Sequence, residues 1–155
     1  MRRLAIFVEG YTELQFIERL LLEVAGRNHI SIEKKRVSGG KKTPINISVL
    51  ESPKPVSGEK FYVLLMDCGG DHQVSKRIHQ QHKSLSENNY TKIIGIRDIR
   101  PDFSHADISR LEVDLKKYIK TSLIPVEFIL SILEIEAWFL SEFNHFSKIS
   151  SEITI

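Results

Sequence analysis

Short apolar runs alternate along this chain with stretches in which apolar residues return every three or four positions. The first run, Leu4–Val8, has strand length and stops at an acid, Glu9, followed by Gly10. Beyond it Phe16, Ile17, Leu20, Leu21 and Val24 recur at helical spacing, which predicts a helix over Thr12–Gly26. Thr12 and Gln15 have capping-box spacing and set its expected start. Ile30–Val37 reads as a second, more polar strand, suited to a sheet edge. The segment Gly39–Glu59 holds three of the five prolines, with several Ser and Lys. A long loop is expected there, with one short helix around Ile45–Leu50.

Phe61–Met66 is a strongly apolar strand that again ends in acid, at Asp67. A helix is expected over His72–Asn88, with Val74, Ile78 and Leu85 on one face. Lys92–Ile96 reads as a short strand running into Arg97 and Asp98. Ser104 and Asp107 have capping-like spacing before Ile108, Leu111, Leu115 and Ile119, an amphipathic helix. Val126–Leu133 is the last expected strand, and Ile135–Glu142 the start of a further helix. Strands separated by helices imply βαβ crossovers, hence an α/β fold with a mainly parallel sheet and helices on both faces.

Composition changes this picture little. The 155 residues suit one domain over 1–155, with 41% hydrophobic and 27% charged residues. The chain stops at Ile155 after a mixed stretch with no closing element, as a truncated or partial domain would. The net charge of +2 sets no strong polyanion preference by itself. Its distribution does matter: Lys34, Lys35, Arg36, Lys41 and Lys42 crowd around Gly39-Gly40, as a solvated loop or as a phosphate-contacting one. One cysteine, Cys68, excludes an intrachain disulfide and any zinc-type cysteine spacing. With no signal peptide, this points to a reducing, cytoplasmic setting. Phe128–Leu140 is too short and too charged to span a bilayer, so no membrane partner is expected.

The candidate chemistry is acidic. Glu9, Asp67 and Asp98 each follow an apolar strand, and Glu134 and Glu136 follow a fourth. Carboxyl ends of parallel strands share one edge, where open α/β sheets place their sites. Carboxylates gathered there repel one another, and either a shared proton or a divalent cation relieves the repulsion. Oxygen-only ligands suit Mg²⁺ or Mn²⁺. The alternative is that the acids merely end strands and cap helices.

Glu9-Gly10-Tyr11-Thr12-Glu13, followed by Phe16 and Leu20-Leu21-Leu22, resembles the opening motif of toprim domains. It is most similar to the toprim-like bacterial families near the OLD nucleases, whose opening reads Val-Glu-Gly-x-Thr-Glu. Gly39-Gly40 fits the glycine that often follows the second toprim strand. Glu134-Ile135-Glu136-Ala137-Trp138 matches a later Glu-x-Glu-Ala-Trp segment of those relatives. The resemblance implies a toprim-like fold over roughly 2–140 and Mg²⁺- or Mn²⁺-dependent phosphodiester chemistry on nucleic acid. It loosely implies a defence role or an ATPase or other protein partner.

In that reading Glu9 is the acid/base or metal ligand. The toprim Asp-x-Asp pair has no clean match here. Asp98 is preferred, with Asp67 and Asp71 as second choice and Glu13, Asp102, Glu134 and Glu136 as secondary acids. Arg97, Arg100, Lys35, Arg36, Lys41 and Lys42 are the candidate phosphate contacts. Two other functions stay open: a non-catalytic interaction module that has lost its second aspartate, and a hydrolase of small phosphate esters. Outside the acidic edge the expectations are plain: Gly69-Gly70 as a tight turn, Cys68 as a buried thiol, and His79 and His82 as surface histidines.

Overall fold

Parallel strands covered on both faces must be apolar on both sides. The strongly apolar runs at Leu4–Val8 and Phe61–Met66 accordingly lie next to each other in the interior of the sheet, with Lys92–Ile96 beside them. In the computed structural model, which describes residues 1–40, 42–70, 73–98, 107–117, 119 and 122–131, these are β1 (Arg2–Val8), β4 (Phe61–Asp67) and β5 (Lys92–Asp98). They are flanked by β2 (Ile30–Ser38), β3 (Asn46–Glu51) and β6 (Val126–Ser131), in the six-stranded order β3-β2-β4-β1-β5-β6. All neighbours are parallel except β2 and β3, which pair antiparallel. The α/β class and the mainly parallel sheet are as expected.

Among the described residues, three helices cover the sheet: α1 (Tyr11–Ala25), α2 (Gln73–Glu87) and α3 (Ile108–Lys116). Successive side chains of a strand point to opposite faces. Ile6 and Val8 of β1, with Val63 and Leu65 of β4, therefore pack under Leu14 and Ile17 of α1. Ala5, Phe7, Leu64 and Met66 face the other way, against Val74, Ile78 and Leu85 of α2 and Leu111 and Leu115 of α3. Each such side chain contributes about 1.5–3 kcal/mol on full burial. Gly95 of β5 must stay small. A Cβ there would lie 2.6 Å from the Phe128 ring and 2.9 Å from Ile78.

Three expectations need correction. β2, read as suited to a sheet edge, is an interior strand between β3 and β4. The segment expected to be a loop with a short helix at Ile45–Leu50 contains β3, a sheet-edge strand whose residues are mostly exposed. Partnering with β2 decided its state. The first helix is capped by Gly10, without a side-chain cap bond, so it begins before Thr12. The strand ending at Val8 starts two residues earlier than expected, at Arg2, and β5 extends two residues beyond Ile96 to include Arg97 and Asp98. The expected segments at Ser104, Ile135–Glu142 and the end of Val126–Leu133 lie outside the described residues. No described helix is long and apolar enough to cross a membrane.

Candidate functional site

The chain order creates a crevice at the carboxyl edge. α1 leaves β1 over one face and α2 leaves the adjacent β4 over the other, so their entry turns diverge around the strand ends. This is a topological switch point, where open α/β sheets place ligands. The register puts Val8 beside Asp67. It also pairs Phe7 with Gly95, which brings Glu9 level with Arg97 and leaves Asp98 one residue further out. Glu9, Asp67 and Asp98 thus lie at the same edge of one sheet, on three adjacent strands.

Arginines are interleaved with these acids. Arg97 Nε lies 3.5 Å from Glu9 Oε1, and both side chains are less than a tenth exposed. Arg36 Nε donates to Asp67 Oδ2 at 2.7 Å. The other oxygen, Asp67 Oδ1, accepts the Gly69 N–H at 2.9 Å. Asp67 is therefore buried with both oxygens in use, holding β2 and the turn after β4. That turn is pinned to the first: Cys68 N–H donates to Val8 O at 2.9 Å and Gly70 N–H to Glu9 O at 2.8 Å. Gly69-Gly70 is the expected tight turn, with φ of +78° and +134°.

Glu13 stands in the first turn of α1 and folds back over Gly10; its Oε2 is 3.1 Å from where a Cβ on Gly10 would be. An acid there also suits the positive end of the helix dipole. Glu9, Glu13, Asp67 and Asp98 supply hard oxygen donors of the kind that Mg²⁺ and Mn²⁺ take. Among the described residues, no three His, Cys, Asp or Glu side chains come close enough together to hold an ion. Asp71, Arg100, Asp102, Glu134, Glu136 and Lys41 lie outside the described residues.

The basic cluster is not the loop of cations that the sequence pattern allowed. Lys34, Lys35 and Arg36 are strand residues of β2. Lys34 bridges Glu18 at 2.9 Å and Glu51 at 2.6 Å, and Lys35 pairs with Glu33 at 3.0 Å. Strand alternation turns Lys35 to the face opposite Arg36, where it pairs with Glu33. Arg36 reaches the edge, and Lys42 is exposed.

His79 and His82 do not share a site. His79 is exposed, whereas His82 is buried with Nε2 3.3 Å from the Ile124 carbonyl oxygen. His82 therefore corrects the expectation of a surface histidine. It sits on the apolar face of α2, where a polar ring must find a partner.

Cys68 is buried as expected. Burial first, and the Asp67 charge second, push its thiol well above the usual range. The native protein is expected to resist iodoacetamide at neutral pH and to be labelled only on unfolding; fast native labelling would contradict the burial. The sign follows: the folded state keeps the proton longer than the unfolded one. The associated stability is complete below the unfolded thiol's pKa and is lost as pH rises from there toward the folded value.

Two residues at this edge were missed. Arg77 of α2 is buried and donates to Gly39 O at 3.3 Å and Gln80 Oε1 at 3.0 Å. It pins the Gly39 turn, which folds so tightly that a Cβ on Gly39 would collide with the Pro44 carbonyl oxygen. An arginine between Val74 and Ile78 on an apolar helical face was the signal. Tyr11, the first residue of α1, is half exposed, and the Arg36 guanidinium lies 5.1 Å from its ring centroid. No family model, curated protein or solved structure matches this chain.

Proposed function

We propose that the carboxyl edge of this sheet performs divalent-metal-dependent phosphodiester chemistry on nucleic acid, most simply cleavage, in a toprim-like manner. The observation that carries the reading is the placement of Glu9, Asp67 and Asp98 at adjacent parallel strand ends beside a switch point. Glu9 and Asp98 would hold Mg²⁺ or Mn²⁺, joined by acids from the segments after β4 and β5. The chemistry a bound ion supplies is polarisation of a phosphate oxygen and a lowered pKa for the attacking water. Arg97 orients Glu9 from 3.5 Å. Arg36, anchored through Nε, directs its remaining guanidinium nitrogens to the phosphate. Asp67 acts as the anchor of Arg36 and of the Gly69 turn. An ATPase or other protein partner, and a role in defence, are compatible additions to this reading.

A second reading is favoured by one feature: both Glu9 and Asp67 already face arginines, so their charge is balanced without a metal. On that reading the scaffold is a non-catalytic interaction module. Thermal denaturation separates the two. At roughly a hundred times its dissociation constant, Mn²⁺ is expected to stabilise the fold by about 2.7 kcal/mol. Glu9→Gln should remove most of that gain. A melting temperature indifferent to Mg²⁺ and Mn²⁺ would select the interaction module.

A further inference from the structure

The members of the acidic edge differ sharply in access. Glu9, Asp67 and Arg97 are buried, while Tyr11 is 50% exposed and the Arg36 side chain 41% exposed. Among these described members of the edge, Tyr11 and Arg36 are the ones open to solvent. Both are held in place. Arg36 is fixed by its bond to Asp67 at 2.7 Å. Asp67 in turn is fixed by the Gly69 amide at 2.9 Å. Tyr11 opens α1 two residues after Glu9, with the Arg36 guanidinium 5.1 Å from its ring centroid. A large aromatic ring is thus presented to solvent beside a cation whose Nη groups make no hydrogen bond among the described residues.

We propose that Tyr11 and Arg36 form a platform for one unpaired nucleotide, the base stacking on Tyr11 and its phosphate meeting Arg36, which directs the edge to single-stranded nucleic acid. The inference deepens the proposed function and rests on its nucleic-acid substrate. Stacking needs only a π-face, so it accepts any base that is not already stacked in a duplex. A duplex hides its base faces and offers Tyr11 nothing to stack on. The ring is preorganised because the guanidinium restrains it, which lowers the ordering cost of binding. Arg36 adds charge at the position of the adjoining phosphate, and its anchor on Asp67 sets the distance to Glu9.

The test is fluorescence anisotropy in chelator, so that binding is read without cleavage. The probes are a labelled single strand in deoxy and ribo forms, a strand of the same length with abasic sites, and a duplex. The full chain is expected to bind the single strand more tightly than the duplex or the abasic strand. Tyr11→Phe should bind like the parent, because it keeps the ring. Tyr11→Ala should weaken single-strand binding roughly 5- to 150-fold, the range of stacking on one base, with an unchanged salt slope. Arg36→Gln should instead flatten the salt slope by roughly 0.7.

A tighter deoxy or ribo strand identifies the source of the ligand, and dependence on Tyr11 in either arm upholds the platform. Undiminished single-strand binding by a folded Tyr11→Ala protein overturns it, as does equal binding of the abasic strand. A protein that binds single strands through Tyr11 yet never cuts them would refute the metal-dependent reading and keep the platform.

Discussion

Glu9→Gln is expected to reduce Mn²⁺-dependent strand cleavage by on the order of a thousandfold, equivalent to about 4 kcal/mol of lost metal and transition-state stabilisation. The substitution is nearly isosteric. It keeps an acceptor oxygen 3.5 Å from Arg97 Nε while removing the negative charge. Glu9→Ala removes both and leaves the Arg97 guanidinium buried without its carboxylate. Breaking a buried pair in this way costs about 3–5 kcal/mol of fold stability. The two variants therefore separate chemistry from folding. Glu9→Gln should lose activity with a modest change in urea midpoint, and Glu9→Ala should lose both. Cleavage by Glu9→Gln at the parental rate would refute the assignment of Glu9. Loss of activity with Asp67→Ala but not with Asp98→Ala would keep the mechanism and exchange the aspartates.

The second large effect falls on a turn. Gly69→Ala is expected to destabilise the protein by about 2–4 kcal/mol, from two sources. Gly69 has φ +78°, a conformation that costs an L-residue roughly 1–2 kcal/mol. Its added Cβ would also lie 2.7 Å from the Val37 carbonyl oxygen, a backbone atom that cannot rotate away. Gly70→Ala is the comparison in which strain acts without a clash, at a φ that alanine tolerates less well than that of Gly69. It is also at positive φ, +134°, but nothing lies within 4 Å of the added Cβ. Only conformational strain should register there. Urea denaturation compares the two directly. Because Gly70 N–H binds Glu9 O at 2.8 Å, displacement of this turn by Gly69→Ala should weaken metal binding as well. A loss at Gly69 no larger than the roughly 1–2 kcal/mol of backbone strain would show that contact with Val37 does not matter.

Much of the fold was legible because its strongest signals are local. β1 and β4 announce themselves through unbroken apolar runs, since a central parallel strand meets a covered face on each side. α2 and α3 follow from helical periodicity, and Glu9, Asp67 and Asp98 from their places at strand ends. β3 was obscure for the opposite reason. As an edge strand it leaves Ile47 and Val49 exposed, and its state depends on pairing with β2. α1 begins at Tyr11, one residue before the expected Thr12, with Gly10 as its N-cap.

The candidate site divides along the same line. Tyr11 carried no periodic signal; its interest comes from a cation supplied by β2 and from exposure beside Glu9. Lys35 and Arg36 are adjacent in sequence, but strand alternation sends them to opposite faces, one to Glu33 and the other to Asp67. The buried role of His82 depends on a carbonyl 42 positions away.

By itself, then, the sequence determined the α/β class, the strands with acidic ends and the helices between them, because local periodicity and burial on both faces leave a direct imprint on residue order. Only the tertiary structure decided that β4 enters between β1 and β2, that Arg97 and Arg36 settle on Glu9 and Asp67, and that Tyr11 stands open at the edge. Those outcomes depend on which strands become neighbours, and neighbouring strands are joined by hydrogen bonds and charges between residues far apart in the chain.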